Sequence, residues 1–248
     1  MGSKTGISWT DATWNPWQGC TKVSDGCKNC YMYREKERYG QDPFTVVRSK
    51  LATFNAPLNW GRSGKVPYGS RIFVCSWSDF FHEDADLWRD EAWEIMENSP
   101  QYNFLIPTKR IERVSKVCPS DWLQGDALEN VWLGISVENQ ETYNKRLPML
   151  LKIHASVKWL SVEPMLGPIN FSEPDCQTYA QDRINWVVFG GESGPNCRTM
   201  DIDWLRNGVN QCKAANVPVF VKQLGGWPNT YHELSDFPED LRIREFPL

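Results

Sequence analysis

Histidine is scarce in this chain, with three among 248 residues. There is no H-E-x-x-H helix, no glycine-rich Walker loop and no Ser-His-Asp order, which excludes histidine-based metal hydrolysis, P-loop phosphate chemistry and triad catalysis. A run of 18 or more apolar residues is missing, and so is a charged-then-apolar leader with a small-residue cleavage site. These absences predict a cytoplasmic protein with no membrane partner. What is present is enough for a sizeable core, since 41% of residues are hydrophobic and 13% aromatic. Eight cysteines without a secretory leader indicate a reducing compartment, where clustered thiols more often hold metal than form disulfides.

Acidic and basic residues are unevenly distributed. Residues 1–72 carry 11 Lys/Arg against 5 Asp/Glu, or +6, while residues 73–248 carry −10, and the whole chain carries −4. A basic front on an acidic chain suits a polyanion-facing surface, or is ordinary solvated charge.

Short apolar runs at 71–75, 102–106, 131–135, 157–160, 185–189 and 217–221 are rich in β-branched and aromatic residues and lack strict alternation. Strands buried on both faces of a parallel sheet have that composition. Between them, 83–98, 141–153 and 202–215 carry apolar residues at helical spacing, and 109–117 is a shorter helical segment. Strand–helix alternation implies parallel strands joined by crossovers. Polar residues follow nearly every strand, as in Ser76–Asp79, Thr108–Arg110, Ser136–Asn139, Ser161–Pro164, Gly190–Ser193 and Lys222–Gln223. That favours an α/β fold, a complete or partial (β/α) TIM-like barrel of about six or seven mostly parallel strands, with its site at the strand ends. The expectation is a single domain over 1–248. Residues 1–70 form a cysteine-bearing N-terminal segment packed on it, and the Pro-containing, acidic stretch 167–183 is a surface insertion.

Cys20, Cys27 and Cys30 are spaced C-x6-C-x2-C. A C-x2-C pair lets two thiolates converge, and the loop 21–26, with Gly26 for a tight turn, can return the third. A closed structural zinc site takes four protein ligands, yet the nearest histidine is His82 and the other cysteines stand at 75, 118, 176, 197 and 212. Three thiolates with one open position suit a 4Fe–4S cluster with one iron left for a small molecule. Zinc, or structural thiols without metal, are the alternatives.

Three closely spaced cysteines ahead of a (β/α) barrel resemble the radical S-adenosylmethionine (SAM) superfamily. More narrowly, "WNPWQGC…GCKNCY", "SVENQ", "SVEPMLG" and "FGGESG" resemble an uncharacterised family of phage and bacterial proteins with a three-cysteine motif. The superfamily resemblance implies that Cys20, Cys27 and Cys30 hold three irons and that SAM chelates the fourth. An external electron donor then drives reductive cleavage to a 5′-deoxyadenosyl radical, which abstracts hydrogen from a substrate. The sequence departs from the usual pattern in its six-residue first gap, where three is usual, and in Asn29, where an aromatic residue usually stands.

Gly190-Gly191-Glu192-Ser193 resembles the superfamily's Gly-Gly-Glu element, which meets the SAM amino group, although here it lies late in the chain. Ser136, Glu138 and Glu163 are candidates for ribose or carboxylate contacts. Cys75 and Cys197 are candidate hydrogen-atom donors, with plain burial as the competing explanation. Lys109, Arg110 and Arg198 could bind phosphate or carboxylate. Trp9, Trp14 and Trp17 precede the cysteines, and Lys28, Arg34, Lys36 and Arg38 follow them, a mixture that can stack on bases and track phosphates or simply pack and solvate.

The resulting expectation is an iron–sulfur enzyme of radical SAM type acting on a nucleotide or nucleic acid, in modification or repair. Its rivals are a non-catalytic nucleic-acid-binding protein stabilised by zinc or an iron–sulfur cluster, and a barrel enzyme with structural cysteines only.

Overall fold

The computed structural model describes residues 5–172, 184–226 and 230–247, so the expected insertion 167–183 lies outside the described residues from 173 onward. Nine strands occur among the described residues: β1 (Ala12–Trp14), β2 (Trp17–Gln18), β3 (Val47–Arg48), β4 (Arg71–Val74), β5 (Asn103–Thr108), β6 (Val131–Ser136), β7 (Val157–Val162), β8 (Trp186–Gly190) and β9 (Val219–Gln223). The helices are α1 (Tyr31–Arg38), α2 (Leu51–Phe54), α3 (Ala56–Ser63), α4 (Asp86–Glu97), α5 (Ile111–Val117), α6 (Gln140–Leu150) and α7 (Ile202–Ala214). Seven strands form a sheet in the order β1-β4-β5-β6-β7-β8-β9, while β2 and β3 make a separate antiparallel pair. The pairings β1·β4, β4·β5, β7·β8 and β8·β9 are parallel. Parallel strands following one another in chain order through helical crossovers are the topology of a partial (β/α) barrel, as the sequence pattern leads one to expect. The six apolar runs become β4 to β9 within two residues of the expected starts.

The chain forms two compact units. The first comprises residues 1–23, 32–133 and 153–156, and the second comprises 24–31, 134–152 and 157–248. In the first unit β4 registers Ile72 against Phe104 and Phe73 against Leu105 of β5, side chains that water does not reach on the Ile72 and Phe104 side. Trp14 is fully buried against Phe104 and donates its indole N–H to the Phe54 carbonyl at 2.9 Å, so its bulk is buried and its one polar atom is satisfied. Phe80, Phe81, Trp93 and Trp122 form a second aromatic cluster. Ahead of α4 the buried His82 acts as a cap, its Nδ1 accepting from the Asp84 amide at 3.2 Å. Asp86 in the first turn of α4 takes Arg89 and Arg113, placing an acid where the helix dipole favours one.

In the second unit β7 registers Trp159 against Trp186 and Leu160 against Val187 of β8, and the two indoles lie 5.4 Å apart. Helix α6 opens on a reciprocal capping box between Asn139 and Thr142 and holds Pro148 near its end, where it stops three residues short of the expected 153. Gly134 in β6 carries its lack of a side chain for a packing reason. A Cβ there would stand 2.4 Å from Cε2 of the fully buried Trp159. Gly134→Ala is therefore expected to lose roughly 1–3 kcal/mol from overpacking, read as a lower midpoint in urea unfolding.

Candidate functional site

In the first unit the chain approaches Cys20 through a glycine that no other residue can replace cheaply. Gly19 has φ +101°, and a Cβ on it would lie 2.2 Å from the Thr45 carbonyl oxygen. The Gly19 amide donates to the Trp77 carbonyl at 3.0 Å and the Cys20 amide to the Pro43 carbonyl at 3.0 Å, while Tyr33 Oη donates to the Cys20 carbonyl at 2.9 Å. Below this loop sits a buried carboxylate at the end of β4. Asp79 accepts from Thr108 Oγ1 at 2.7 Å and from the amides of Lys109 at 2.9 Å and Phe81 at 2.9 Å. Thr108 Oγ1 in turn accepts from the Arg110 amide at 2.9 Å, so the ends of β4 and β5 are tied together.

Arg110 is 5% exposed and points its Nη2 at Thr21, donating to Oγ1 at 2.6 Å and to the carbonyl at 3.1 Å. Burial works against its charge, but Asp79, Cys20 and Glu83 outweigh that and raise its pKa above the ordinary value. Its Nε is buried without a hydrogen-bond partner among the described residues. Thr21 Oγ1 also lies 3.1 Å from His82 Nε2. His82 is held neutral, first by burial and then by Arg110, which together lower its pKa. Cys75 caps β4 in the left-handed region at φ +61°, with its amide donating to the Trp14 carbonyl at 2.9 Å. Burial pushes its thiol pKa far up, and the charges of Asp79 and Cys20 add to that. Cys75 therefore stays an S–H group.

In the second unit residues 24–31 form a tight turn. The amides of Cys27, Lys28 and Cys30 donate to the carbonyls of Ser24, Asp25 and Cys27, through a 3₁₀ turn at Asp25–Cys27. Two strand-end carboxylates grip this turn. After β6, Glu138 is 1% exposed, accepts from Ser24 Oγ at 2.7 Å and pairs with the buried Arg146 at 3.0 Å. The turn comes so close that a Cβ on Gly26 would fall 2.5 Å from Glu138 Oε1. After β8, Glu192 accepts from Asn29 Nδ2 at 2.8 Å, from the Arg198 amide at 2.8 Å, from Arg198 Nε at 3.1 Å and from Arg198 Nη2 at 2.5 Å. Arg198 Nη2 reaches on to the Asp25 carbonyl at 2.9 Å, and Asn29 Nδ2 to the Asn196 carbonyl at 3.0 Å. Burial alone would raise the Glu192 pKa, but the Arg198 and Asn29 hydrogen bonds prevail and lower it, so the group is ionised at neutral pH.

The remaining expected residues fall nearby in the same unit or in the first. Glu163, after β7, pairs with Lys222 of β9. Gly191 meets Gly225 backbone to backbone. Cys197 is buried in the 194–198 loop and Ser136 closes β6. Lys109 lends its amide to Asp79, the Arg110 guanidinium donates to Thr21 in the first unit, and that of Arg198 donates to the Asp25 carbonyl in the second. Asp79, Thr21, His82, Arg146 and Lys222 were not among the expected site residues. Asp79 and Lys222 stand at strand ends, which is the signal that could have found them.

All seven described cysteines are outside disulfides, Cys20, Cys27 and Cys30 included. Among the described residues no three His, Cys, Asp or Glu side chains gather closely enough for one metal ion. An iron–sulfur cluster makes a different demand, because each thiolate binds a separate iron and the sulfurs stand around the cluster. Three reduced thiols, and an Arg110 whose Nε–H is buried without a partner among the described residues and whose charge Cys20 helps to hold, fit that group in their chemistry.

A family model described as "Protein of unknown function (DUF5131)" matches residues 4–239. The sequence has no match among curated proteins. Among solved structures, a cysteine-to-serine mutant of spore photoproduct lyase is similar with TM-score 0.50 and 13% identity, over 92% of this chain and 70% of that one. Spore photoproduct lyase complexed with dinucleoside spore photoproduct is 15% identical over 87% of this chain and 66% of that one, with TM-score 0.47. A double mutant with bound AdoMet and dinucleoside spore photoproduct is 12% identical over 89% and 67%, with TM-score 0.46. The chain thus spans about two thirds of the length of these proteins, and at such identity the likeness concerns the fold. No helix of the described residues is long and apolar enough to cross a membrane.

Proposed function

This chain belongs to that family of unknown function, DUF5131, and from its site we propose that it is an iron–sulfur enzyme of radical SAM type. Spore photoproduct lyase, whose fold it shares, is a radical SAM enzyme. One observation carries the proposal: buried charges at strand ends, after β5 in the first unit and after β6 and β8 in the second, are spent on residues that neighbour reduced cysteines in the chain. In the second unit Glu138 and Glu192 take Ser24 and Asn29, and in the first unit Arg110 takes Thr21. A loop with only a structural task would not call for so many desolvated charges.

Cys20, Cys27 and Cys30 are the proposed ligands of a 4Fe–4S cluster. When bound with SAM, such a cluster supplies one electron, received from an external donor, for reductive cleavage of SAM and hydrogen abstraction from substrate. Around the Gly190-Gly191 turn, Ser193, Ser136 and the Glu163–Lys222 pair are the proposed polar contacts for the cofactor. Cys75 is the candidate hydrogen-atom donor in the first unit, because burial keeps the hydrogen on its sulfur. Cys197 is its counterpart in the second. A nucleotide or nucleic acid is the proposed substrate, supported by the +6 charge of residues 1–72.

Anaerobic reconstitution with iron and sulfide should give a brown protein that consumes SAM when reduced. Cys20→Ala, Cys27→Ala and Cys30→Ala should each lose the visible absorption. A colourless protein with stoichiometric zinc would overturn the assignment, and a cluster spectrum that SAM does not perturb would remove the mechanism.

A further inference from the structure

We propose that Glu192 and Asn29 form a latch that holds the Cys27–Cys30 turn in its ligating conformation before any metal arrives. This assigns Glu192 a positioning role, distinct from contact with a cofactor amino group, and as an account of cluster assembly it rests on the function proposed above.

An ionised carboxylate has about four lone-pair sites. Glu192 accepts four hydrogen bonds: one at Oε1 from Arg198 Nη2, and three at Oε2 from Asn29 Nδ2, the Arg198 amide and Arg198 Nε. Oε2 is wholly committed to Asn29 and Arg198, and Oε1 holds a further bond from Arg198, so the carboxylate is turned toward the cysteine turn and its neighbour. The bonds also converge on the turn from two directions. Asn29 lies between the two cysteines of the C-x2-C pair, and Arg198 passes the grip on to the Asp25 carbonyl, at the start of the 3₁₀ turn that carries Cys27. Asn29 is the position where the superfamily resemblance led to an aromatic residue, and its amide now has a use no aromatic ring could serve. The carboxylate is 6% exposed, so each bond works in a poorly screened setting.

The arrangement makes the turn's mobility a function of Glu192. Opening it must break charge-assisted hydrogen bonds, each strong enough that losing one raises the open population by about tenfold. Metal-free, reduced full-length protein can be pulsed with iodoacetamide under native conditions, and each cysteine followed by peptide mass spectrometry. In Glu192→Gln the alkylation rates of Cys27 and Cys30 should rise about tenfold, while that of Cys118 at the end of α5 stays unchanged. Asn29→Asp sets a second carboxylate against Glu192 at a half-exposed position, and should give the same selective rise even if Glu192→Gln folds poorly. Equal acceleration at Cys118 would mean general loosening and would overturn the latch, as would wild-type rates at Cys27 and Cys30 in both folded variants. The readout needs neither iron nor SAM, so a selective rise in a protein that never assembles a cluster would sustain the latch and sink the radical SAM assignment. Unchanged rates in a protein that does assemble one would do the opposite.

Discussion

Glu138→Ala is expected to destabilise the protein by roughly 3–5 kcal/mol. The reason lies in what remains. Arg146 is 5% exposed and splits one nitrogen, Nη1, between Glu138 Oε2 at 3.0 Å and the Ser136 carbonyl at 2.7 Å. Deleting the carboxylate leaves an interior guanidinium charge with the Ser136 carbonyl as its hydrogen-bond partner among the described residues, and also strips Ser24 of its carboxylate acceptor. Removing both charges avoids that cost, so Glu138→Leu combined with Arg146→Met should recover much of the loss, since apolar replacements of buried pairs are often neutral. Urea unfolding of Glu138→Ala and of the Glu138→Leu, Arg146→Met double variant measures this directly. A Glu138→Ala loss below about 1 kcal/mol would mean that water reaches the pair and that the carboxylate does not anchor the turn.

How much of this was written in the sequence differs by level. The sheet was legible because a strand buried on both faces must be apolar throughout, and β4 to β9 carry that signature in runs such as Trp186–Gly190. Strand β1 was not, since the three residues Ala12–Trp14 are too few to show any period. Strand-end polars pointed to Glu138, Glu163 and Glu192 as site residues, and they do stand at the strand ends. Their partners were not legible: Ser24 lies 114 residues from Glu138, and Asn29 lies 163 from Glu192. Nothing in local chemistry marks Arg146 as the counter-charge of Glu138, because an arginine on an amphipathic helix reads as solvated. Cys75 shows the same limit from the other side. A cysteine at φ +61° has no propensity signal; it is held by a tertiary contact, its amide donating to the Trp14 carbonyl of the neighbouring strand, and by its carbonyl accepting from the Ser78 amide.

The second large effect concerns the Gly190-Gly191 pair, for which two explanations compete: a turn that needs glycine for its own sake, or a cradle for a ligand. The structure separates the two residues. A Cβ on Gly191 would fall 2.2 Å from the amide nitrogen and 2.3 Å from Cα of Gly225, which is backbone and cannot rotate aside. Gly191 is also fixed by its amide bond to the Gln223 carbonyl at 3.1 Å and by the Gln223 side chain on its own carbonyl at 2.6 Å. A Cβ on Gly190 would meet side-chain atoms of Glu163, the carboxyl carbon at 3.1 Å and Cγ at 3.2 Å, which can move where backbone cannot. Gly191→Ala should therefore cost about 3 kcal/mol, the upper end for overpacking, because β8 and β9 must part where they leave the sheet. Gly190→Ala should cost under about 1 kcal/mol, because Glu163 can shift by a few tenths of an ångström. Denaturant midpoints of the two variants decide the matter. If Gly191→Ala is as mild as Gly190→Ala, the close approach of the two backbones does not govern stability, and a ligand cradle becomes the better explanation of both glycines. If the difference appears as stated, Gly191 is explained by packing alone, and only Gly190, which faces the Glu163 side chain, is left to meet a cofactor.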